Sequence, residues 1–332
     1  MTGHGSGVQA RAESVALTGA PEALRRAIEA APQGGRATFL IHGFKYRPGD
    51  PRRDPHRLLF GAGPDDAPRC ADWPADLGGL SVGFGWNAWA PHLASLARSR
   101  RNGFSEVCGR IDAAAQALAA LLEEAARRRP DLRLGVLAHS LGAQVALRAA
   151  QASGTARPGR MILLGAAEDA DRALAALPPS PQAGGTQVFH IAARHNDPYD
   201  AMFEAAAPRI DGRAPRALGR RGLPAMRSDW MDLQIDHPAV AAWLARRGVP
   251  LAERTPRVCH RSFFARPGAM ALYRRILEDR DAWSIAKLRA AGAPEGLAPR
   301  WSRLIPKAPR LRRVEAAAPE TLETAGPAPL SV

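Results

Sequence analysis

Short apolar runs alternate along the chain with longer segments whose apolar residues recur at helical spacing. Five runs have the length of a strand and carry no polar alternation: residues 37–41, 81–86, 132–137, 161–164 and 187–192. Such runs are typical of strands that are buried on both faces of a sheet. Helical spacing is clearest in residues 104–129 and 141–151, and it returns in 236–247 and 268–279. Strands that alternate with helices predict an α/β fold with a mostly parallel sheet flanked by helices.

Two long segments interrupt this alternation. Residues 44–80 are rich in Pro, Gly, Arg and Asp, and residues 208–230 are rich in Arg, Gly and Pro with weak periodicity. Long loops that leave a sheet are often functional, so we expect loop or cap insertions that could act as a lid. We expect one domain over residues 1–290, followed by a Pro-rich, largely disordered tail over residues 291–332.

Composition places the chain among globular proteins, because 46% of its 332 residues are hydrophobic and 23% are charged. Its 46 Lys and Arg residues exceed its 32 Asp and Glu residues, which gives a formal net charge of +14. The excess is uneven, since residues 1–208 hold 23 positive and 20 negative side chains and residues 209–332 hold 23 and 12. We expect a positive surface that favours an anionic substrate or an anionic surface, and we do not expect nucleic acid as a partner.

Three cysteines, Cys70, Cys108 and Cys259, are far apart and odd in number. This spacing predicts neither a disulfide framework nor a cysteine metal site, and a reducing compartment is the simplest interpretation. The first residues lack the apolar region of a signal peptide, and no apolar run approaches the ~20 residues that a membrane span needs. We expect a cytoplasmic protein, with peripheral attachment to a membrane surface as an alternative.

The strongest chemical signal is a serine between the predicted strand 132–137 and the predicted helix 141–151. Ser140 is flanked two positions away by Ala138 and Gly142. Small residues at both positions let backbone pass close to a serine on a strained strand-to-helix turn, and the helix N-terminus faces developing negative charge. This segment resembles the nucleophile motif Gly-x-Ser-x-Gly of the α/β-hydrolase family, with Ala138 in place of the first glycine. The resemblance implies an α/β-hydrolase fold with Ser140 as the nucleophile.

A second motif, His42-Gly43-Phe44, follows the first predicted strand. It is similar to the His-Gly loop of the same family, which lends a backbone N–H to the oxyanion hole. The resemblance implies that the N–H groups of Phe44 and Leu141 hold the oxyanion of a tetrahedral intermediate. Loss of one such donor typically costs roughly 3–4 kcal/mol of transition-state stabilisation. Without the serine motif, His42-Gly43 would be interpreted equally well as a tight strand exit.

The family places its catalytic base late in the chain, in the order Ser, acid, His. Among nine histidines, His195, His237 and His260 follow the serine and lie outside an apolar strand. His260 precedes Arg-Ser-Phe-Phe and resembles the His-Ser-aromatic segment of a group of little-characterised bacterial α/β-hydrolases, so we expect it to be the base. His237 begins a predicted helix, and a surface or capping role fits it better.

The acid that orients the imidazole should follow one of the strands between the serine and the histidine. Asp197 comes directly after the predicted strand 187–192 and resembles the Ser-x-Asn-Asp segment of the same bacterial group, so we expect it to be the acid. Glu168, Asp169 and Asp171 follow the preceding strand and remain alternatives. Their other interpretation is negative charge that complements the N-terminal end of a helix dipole.

Together these residues imply a serine hydrolase that cleaves a carboxylic ester of a small molecule or lipid through a Ser140, Asp197 and His260 triad and an acyl-enzyme. Thioester hydrolysis and acyl transfer would use the same residues. A third interpretation is a catalytically inactive hydrolase scaffold whose basic surface binds anionic lipid or nucleic acid. We expect no cofactor and no metal, since no second His or Cys lies at ligand spacing around His139.

Overall fold

The computed structural model of the chain describes residues 8–11, 22–62, 69–91, 103–177, 185–253 and 256–304. Residues 63–68 of the predicted insertion and residues 305–332 of the predicted tail lie outside the described residues. The strands are β1 (Val8–Arg11), β2 (Arg36–Ile41), β3 (Leu80–Gly85), β4 (Arg133–His139), β5 (Arg160–Leu164), β6 (Gln187–Ala192) and β7 (Trp230–Gln234). Six of them form one open parallel sheet in the order β3-β2-β4-β5-β6-β7, and β1 pairs in parallel with β3 at its edge.

Helices connect the strands and cover both faces of the sheet. They are α1 (Glu22–Glu29), α2 (Pro55–Leu58), α3 (Trp73–Leu77), α4 (Gly103–Cys108), α5 (Ile111–Arg128), α6 (Gly142–Ala152), α7 (Ala170–Ala176), α8 (Asp197–Ala206), α9 (Leu218–Arg221), α10 (Pro238–Arg246), α11 (Ser262–Ala265), α12 (Ala269–Glu278) and α13 (Ile285–Ala290). Phe39 and Ile41 of β2 lie in one core with α1, α5 and α6, whereas Leu40 lies in a second core with α3, α10 and α12. Because side chains alternate along a strand, one apolar run supplies both cores.

The predicted α/β class with a parallel sheet flanked by helices is confirmed, and the five predicted strands correspond to β2 through β6. The pattern missed β7, because Asp232 interrupts its apolar residues. That carboxylate lies 2.7 Å from Nδ1 of His190 on the neighbouring strand. The single predicted helix 104–129 is divided into α4 and α5 at Gly109, a residue that weakens helices.

Both predicted insertions pack against the sheet domain within the described residues. Residues 44–80 contain α2 and α3, and α3 shares the second core with α12. Residues 208–230 contain α9, and Arg213 in this segment pairs with Asp169 at 2.9 Å. No helix in the part of the chain that the structure describes combines the length and apolarity needed to cross a bilayer.

Residues 298–304 differ from the free tail predicted from residue 291. The N–H of Trp301 donates to the buried carboxylate of Asp197 at 2.6 Å, and Arg303 pairs with Asp236 at 3.1 Å. Buried carboxylates need donors, and these two draw the chain back onto the end of the sheet. The segment is therefore part of the folded domain at least as far as residue 304.

Candidate active site

Ser140 lies on a sharp turn between β4 and α6. Its φ of 56° is in the left-handed region, which costs a non-glycine residue roughly 1–2 kcal/mol. The Ser140 N–H donates to the Leu164 carbonyl at 2.9 Å, and the Ser140 carbonyl accepts from the Ala167 N–H at 3.1 Å. Backbone strain persists where the surrounding structure fixes it, and it is concentrated at functional sites. The turn therefore marks Ser140 as a candidate nucleophile on structural grounds as well.

Two glycines let neighbouring backbone approach this serine. A Cβ atom at Gly43 would lie 2.7 Å from Ser140 Cβ and 2.9 Å from the His139 carbonyl oxygen. A Cβ atom at Gly142 would lie 2.5 Å from the His42 carbonyl oxygen. Neither position accepts a side chain unless backbone moves. The loop after β2 and the N-terminus of α6 consequently lie against each other at the serine.

The backbone N–H groups of Phe44 and Leu141 lack an acceptor in the part of the chain that the structure describes. Among the described residues neither group donates a hydrogen bond within the protein, although Leu141 is fully buried. Buried N–H groups are almost always paired, so the unpaired N–H of Leu141 requires an explanation, and the N–H of Phe44 belongs to a residue that lines the cavity with Ser140. Leu141 is also the N-cap of α6, whose N-terminal end carries partial positive charge. Both donors are suited to an oxygen atom that becomes negative beside the serine.

His42 fixes the loop that carries Phe44. The Trp86 N–H donates to His42 Nε2 at 3.1 Å, so the ring proton lies on Nδ1, which donates to the Gly43 carbonyl at 2.9 Å. The indole N–H of Trp86 donates back to the His42 carbonyl at 3.1 Å. Burial lowers the pKa of His42 to about 3, and the ring is neutral. His42 is therefore a structural element of the loop rather than a base.

Ser140 and His260 line the same cavity, whose volume is ≈ 600 Å³. Its lining combines aromatic and other apolar side chains with cations. The apolar members include Phe44, Phe104, Met202, Phe203 and Phe264, and the cations are Lys45, Arg52, Arg53 and Arg261. A mostly apolar cavity of this size with a few polar groups is typical of a small-molecule site.

An amide orients the imidazole of His260. His260 Nδ1 lies 2.7 Å from Asn196 Oδ1, and Asn196 Nδ2 donates to the Asp200 carboxyl group at 2.9 Å. Because an amide oxygen only accepts, the ring proton is on Nδ1 and Nε2 is the basic nitrogen. Burial, followed by the nearby rings of His139 and His195, lowers the pKa of His260 well below its ordinary value. The ring is therefore neutral and can accept a proton.

Two aromatic neighbours hold the His260 ring in place. Tyr199 stacks on it at a centroid distance of 4.5 Å, and the His139 ring lies 4.4 Å away. His139 Nε2 also lies 3.0 Å from the His260 carbonyl oxygen, and burial lowers the pKa of His139 to about 4. Within the described residues Ser140 Oγ makes no hydrogen bond to His260. Such contacts are often long in the free enzyme and shorten when substrate binds.

Asp197, the predicted acid, does not contact His260. Its buried carboxylate accepts from the Arg194 guanidinium at 2.9 Å and from the Trp301 N–H at 2.6 Å. Asp197 begins α8 one residue after Asn196, and successive helical residues point in directions about 100° apart. Only one of the two side chains can face the imidazole, and that one is Asn196. The predicted contact between Asp197 and His260 is therefore absent, and the amide of Asn196 holds the imidazole instead.

Asp200 lies behind Asn196 and completes this arrangement. It is buried, and burial raises its pKa to about 8. The backbone of Gly219 passes so close that a Cβ atom there would lie 2.3 Å from Asp200 Oδ2. Sequence reasoning missed both Asn196 and Asp200. Their spacing of four residues, which brings side chains together on a helix, is the signal that could have found them.

The alternative acids are engaged elsewhere. Asp169 accepts from the Arg172 N–H at 3.2 Å as the N-cap of α7, and Arg213 binds it at 2.9 Å, as expected for negative charge at a helix N-terminus. Asp171 pairs with Arg213 at 2.8 Å. Glu168 is buried and accepts from the Asp169 N–H at 2.7 Å, and burial raises its pKa to about 7. None of these three carboxyl groups lines the cavity at Ser140.

Neither of the two other candidate histidines lines the cavity. His237 is the N-cap of α10 and accepts from the Ala239 N–H at 3.2 Å, which confirms its interpretation as a capping residue. His195 is fully buried, and its Nδ1 lies 3.6 Å from Asp236. Of the three candidates, His260 alone lines the cavity with Ser140.

The described residues include no group of three or more His, Cys, Asp and Glu side chains that could hold a metal ion. No protein-family model matches the chain, and no curated protein is significantly similar to it.

Proposed function

We propose that this protein is a serine hydrolase of the α/β-hydrolase type, which cleaves carboxylic esters of small molecules or lipids through Ser140. The proposal is carried by the meeting of three features at one cavity: a strained serine, two unpaired backbone donors and a neutral histidine oriented by a neighbour. These are the parts that acyl transfer requires. A parallel α/β sheet with the serine at the end of β4 is compatible with the α/β-hydrolase fold.

In the acylation step, Ser140 Oγ attacks the ester carbonyl carbon while His260 Nε2 takes the hydroxyl proton. The carbonyl oxygen becomes an oxyanion that accepts hydrogen bonds from the N–H groups of Phe44 and Leu141. When the tetrahedral intermediate collapses, the bond to the alcohol oxygen breaks and His260 returns its proton to the leaving alkoxide. The product is an acyl-enzyme on Ser140 and a free alcohol.

Deacylation repeats the sequence with water as the nucleophile. His260 Nε2 removes a proton from water, the hydroxide attacks the acyl carbon, and the same two N–H groups hold the oxyanion. Collapse releases the carboxylic acid, and His260 returns the proton to Ser140 Oγ. Each proton taken by the imidazole is returned within the same half-reaction, so the site begins and ends a turnover in the same state.

Asn196 supplies orientation rather than charge. Its oxygen holds the proton of His260 on Nδ1 throughout, so that Nε2 always faces the reacting atoms. The amide is itself held by Asp200, which accepts from Nδ2 and prevents the amide from turning over. A carboxylate in this place would also stabilise the imidazolium, which a neutral amide does not do.

The proposal is tested by labelling with a neutral fluorophosphonate and by turnover of p-nitrophenyl butyrate. The wild-type protein should be labelled and Ser140→Ala should not be. His260→Ala should lower kcat/KM by roughly 10²- to 10⁴-fold, the usual contribution of a general base. His237→Ala is the matched control and should retain activity, since this histidine only caps α10.

Two results would contradict the proposal. Labelling that is equally strong in Ser140→Ala would show that another residue reacts with the probe. A loss of turnover in His237→Ala as large as that in His260→Ala would show that the base is not His260. Both variants should be compared with wild type by circular dichroism, so that unfolding is not mistaken for loss of chemistry.

A further inference from the structure

The cavity beside Ser140 carries unbalanced positive charge. Lys45, Arg52, Arg53 and Arg261 line it, and Asp200 is the one carboxyl group among its described lining residues. Because burial raises the pKa of Asp200 to about 8, this group is mostly neutral at pH 7. At that pH the lining holds four positive charges and almost no negative charge.

Three of these four cations have no ion-pair partner among the described residues and are therefore available to bind an anionic ligand. Arg53 pairs with Asp50 at 3.2 Å. Lys45, Arg52 and Arg261 are exposed and make no ion pair with any residue that the structure describes. The chain has more cationic than acidic residues, so some cations must lack an acidic partner, and three of those that do line this one cavity.

The basic segment at residues 209–227 shows the contrast. Arg213 and Arg216 pair with Asp171, and Arg213 also pairs with Asp169. Arg227 pairs with Asp229 at 2.6 Å. Arg220 pairs with Glu204 at 3.8 Å, whereas Arg209 and Arg221 make no ion pair with a described residue. Most of the charge in that segment is therefore offset, whereas three unpaired cations line the cavity beside Ser140.

Two of the free cations follow residues of the proposed machinery directly in the sequence. Lys45 comes after Phe44, which supplies an oxyanion donor, and Arg261 comes after the base His260. Lys45 also adopts a left-handed φ of 78°, which is uncommon for a residue with a side chain. A glycine would take this conformation without strain, yet the chain places a long cationic side chain there.

The same cavity has an aromatic wall. The ring of Phe44 meets that of Phe104 edge to face at 5.3 Å, and Phe104 meets Phe203 in the same way at 6.3 Å. All three rings line the cavity. A ligand that is complementary to the whole lining therefore has an apolar segment, which contacts the rings, and an anionic group, which pairs with the cations.

We infer that the substrate of this protein is an ester that carries a carboxylate in addition to an apolar segment, and that Lys45, Arg52 and Arg261 bind the carboxylate. The inference rests on the proposed function, since it names the substrate class of that site. Guanidinium groups pair with carboxylates through two parallel hydrogen bonds, which gives the arginines directional selectivity as well as attraction.

Matched pairs of esters test this inference. One pair places the charge on the acyl side, with mono-p-nitrophenyl adipate against p-nitrophenyl hexanoate. The other places it on the alcohol side, with 3-carboxyphenyl hexanoate against phenyl hexanoate. An exposed ion pair typically changes affinity by about 1.4- to 5-fold, so three free cations should give a preference of roughly tenfold in kcat/KM for the charged member of one pair.

Variants that each remove one positive charge test whether the cavity cations cause this preference. Arg52→Gln and Arg261→Gln should each lower the ratio of charged to neutral turnover by about two- to fivefold, and ~0.5 M NaCl should lower it similarly. Arg246→Gln removes an equally exposed charge outside the cavity and should leave the ratio unchanged. A ratio near one in both pairs, or a ratio that neither variant alters, overturns the inference.

Failure of the inference is distinguishable from failure of the proposed function. If the neutral fluorophosphonate labels Ser140 and the neutral esters are hydrolysed without preference for charge, only the substrate class is wrong. If Ser140 is not labelled and neither member of a pair is hydrolysed, the hydrolase proposal fails and the inference fails with it.

Discussion

Asn196 accepts a hydrogen bond from His260 at 2.7 Å, in the position where a serine hydrolase usually has a carboxylate. No Asp or Glu among the described residues bonds to this imidazole. The contact fixes which ring nitrogen is basic, and it adds no negative charge to the site. Its consequences for pH dependence and stability can be measured directly.

Asn196→Asp should move the acid limb of the pH profile upward. Activity requires neutral His260, and the pKa of this residue lies well below its ordinary value in the wild type, so activity should persist below pH ~6.5. A carboxylate on Nδ1 would raise that pKa by about 1–3 units, because it stabilises the imidazolium. The profile of kcat/KM for p-nitrophenyl butyrate reports this pKa in the free enzyme.

The control for this change is Asn87→Asp, which adds the same charge at an exposed residue outside the cavity. Its profile should match that of the wild type. An acid limb that stays in place in Asn196→Asp would show that Asn196 does not orient the base during turnover.

Ser140→Gly should be more stable than Ser140→Ala, although both variants lack the nucleophile. Glycine adopts the φ of 56° without the strain that alanine retains, which should raise the free energy of unfolding by ~1 kcal/mol relative to alanine. Urea denaturation of the two variants measures the difference. Equal stability, or a more stable alanine variant, would mean that the turn at Ser140 is not strained in solution.

Gly43→Ala should disturb the fold and the chemistry together. Its added methyl group would lie 2.7 Å from Ser140 Cβ, and relief of this contact requires the loop with the Phe44 donor to move. We expect destabilisation of about 1–3 kcal/mol and a loss of esterase activity of at least about 10²-fold.

Gly109→Ala is the matched control, since its nearest neighbour would be at 3.4 Å, an ordinary contact. It should keep both stability and activity within a small factor of the wild type. If the two alanine variants behaved alike, the close approach of the loop to Ser140 would not be a requirement of the site.

Asp200→Asn should change how stability depends on pH. The unfolded chain releases the Asp200 proton near its ordinary pKa of 3.8, whereas the folded protein keeps it until about pH 8. Stability from this group therefore falls as pH rises through that window, by up to about 1.4 kcal/mol per pH unit. Asparagine does not titrate and still offers an acceptor to Asn196.

The measurement is the free energy of unfolding in urea for both proteins between about pH 4 and about pH 8. The stability of the variant relative to the wild type should increase steadily across this range. A difference that does not change with pH would show that the carboxyl group of Asp200 does not hold its proton in the folded protein.

Much of the sheet and the serine turn can be predicted from the sequence because both leave local signals. A strand buried on both faces, such as β2 or β5, needs an unbroken apolar run. The turn at Ser140 needs a glycine at position 142, since no side chain fits against the His42 carbonyl. β7 has no unbroken apolar run, because its central Asp232 is accommodated by a hydrogen bond with His190 on a different strand.

The orienting residue of the base could not be predicted in the same way. Asn196 and Asp197 are adjacent, and both are chemically able to hold an imidazole. Which one does so depends on the direction in which each side chain leaves the start of α8. That direction is fixed by partners distant in the sequence, since Trp301 occupies one oxygen of Asp197 from 104 residues away.

The hydrogen bond from Trp301 to Asp197 also has a consequence during synthesis. Domains begin to fold from their N-terminal end while the ribosome is still adding residues, at roughly 5–20 residues per second. The strands and Ser140 emerge early, but the buried carboxylate at the start of α8 lacks its second donor until residue 301 has left the ribosome. The start of α8 therefore reaches its final set of hydrogen bonds roughly 8–32 s after Ser140 is made, so a nascent chain carries this end of the sheet in an incomplete state.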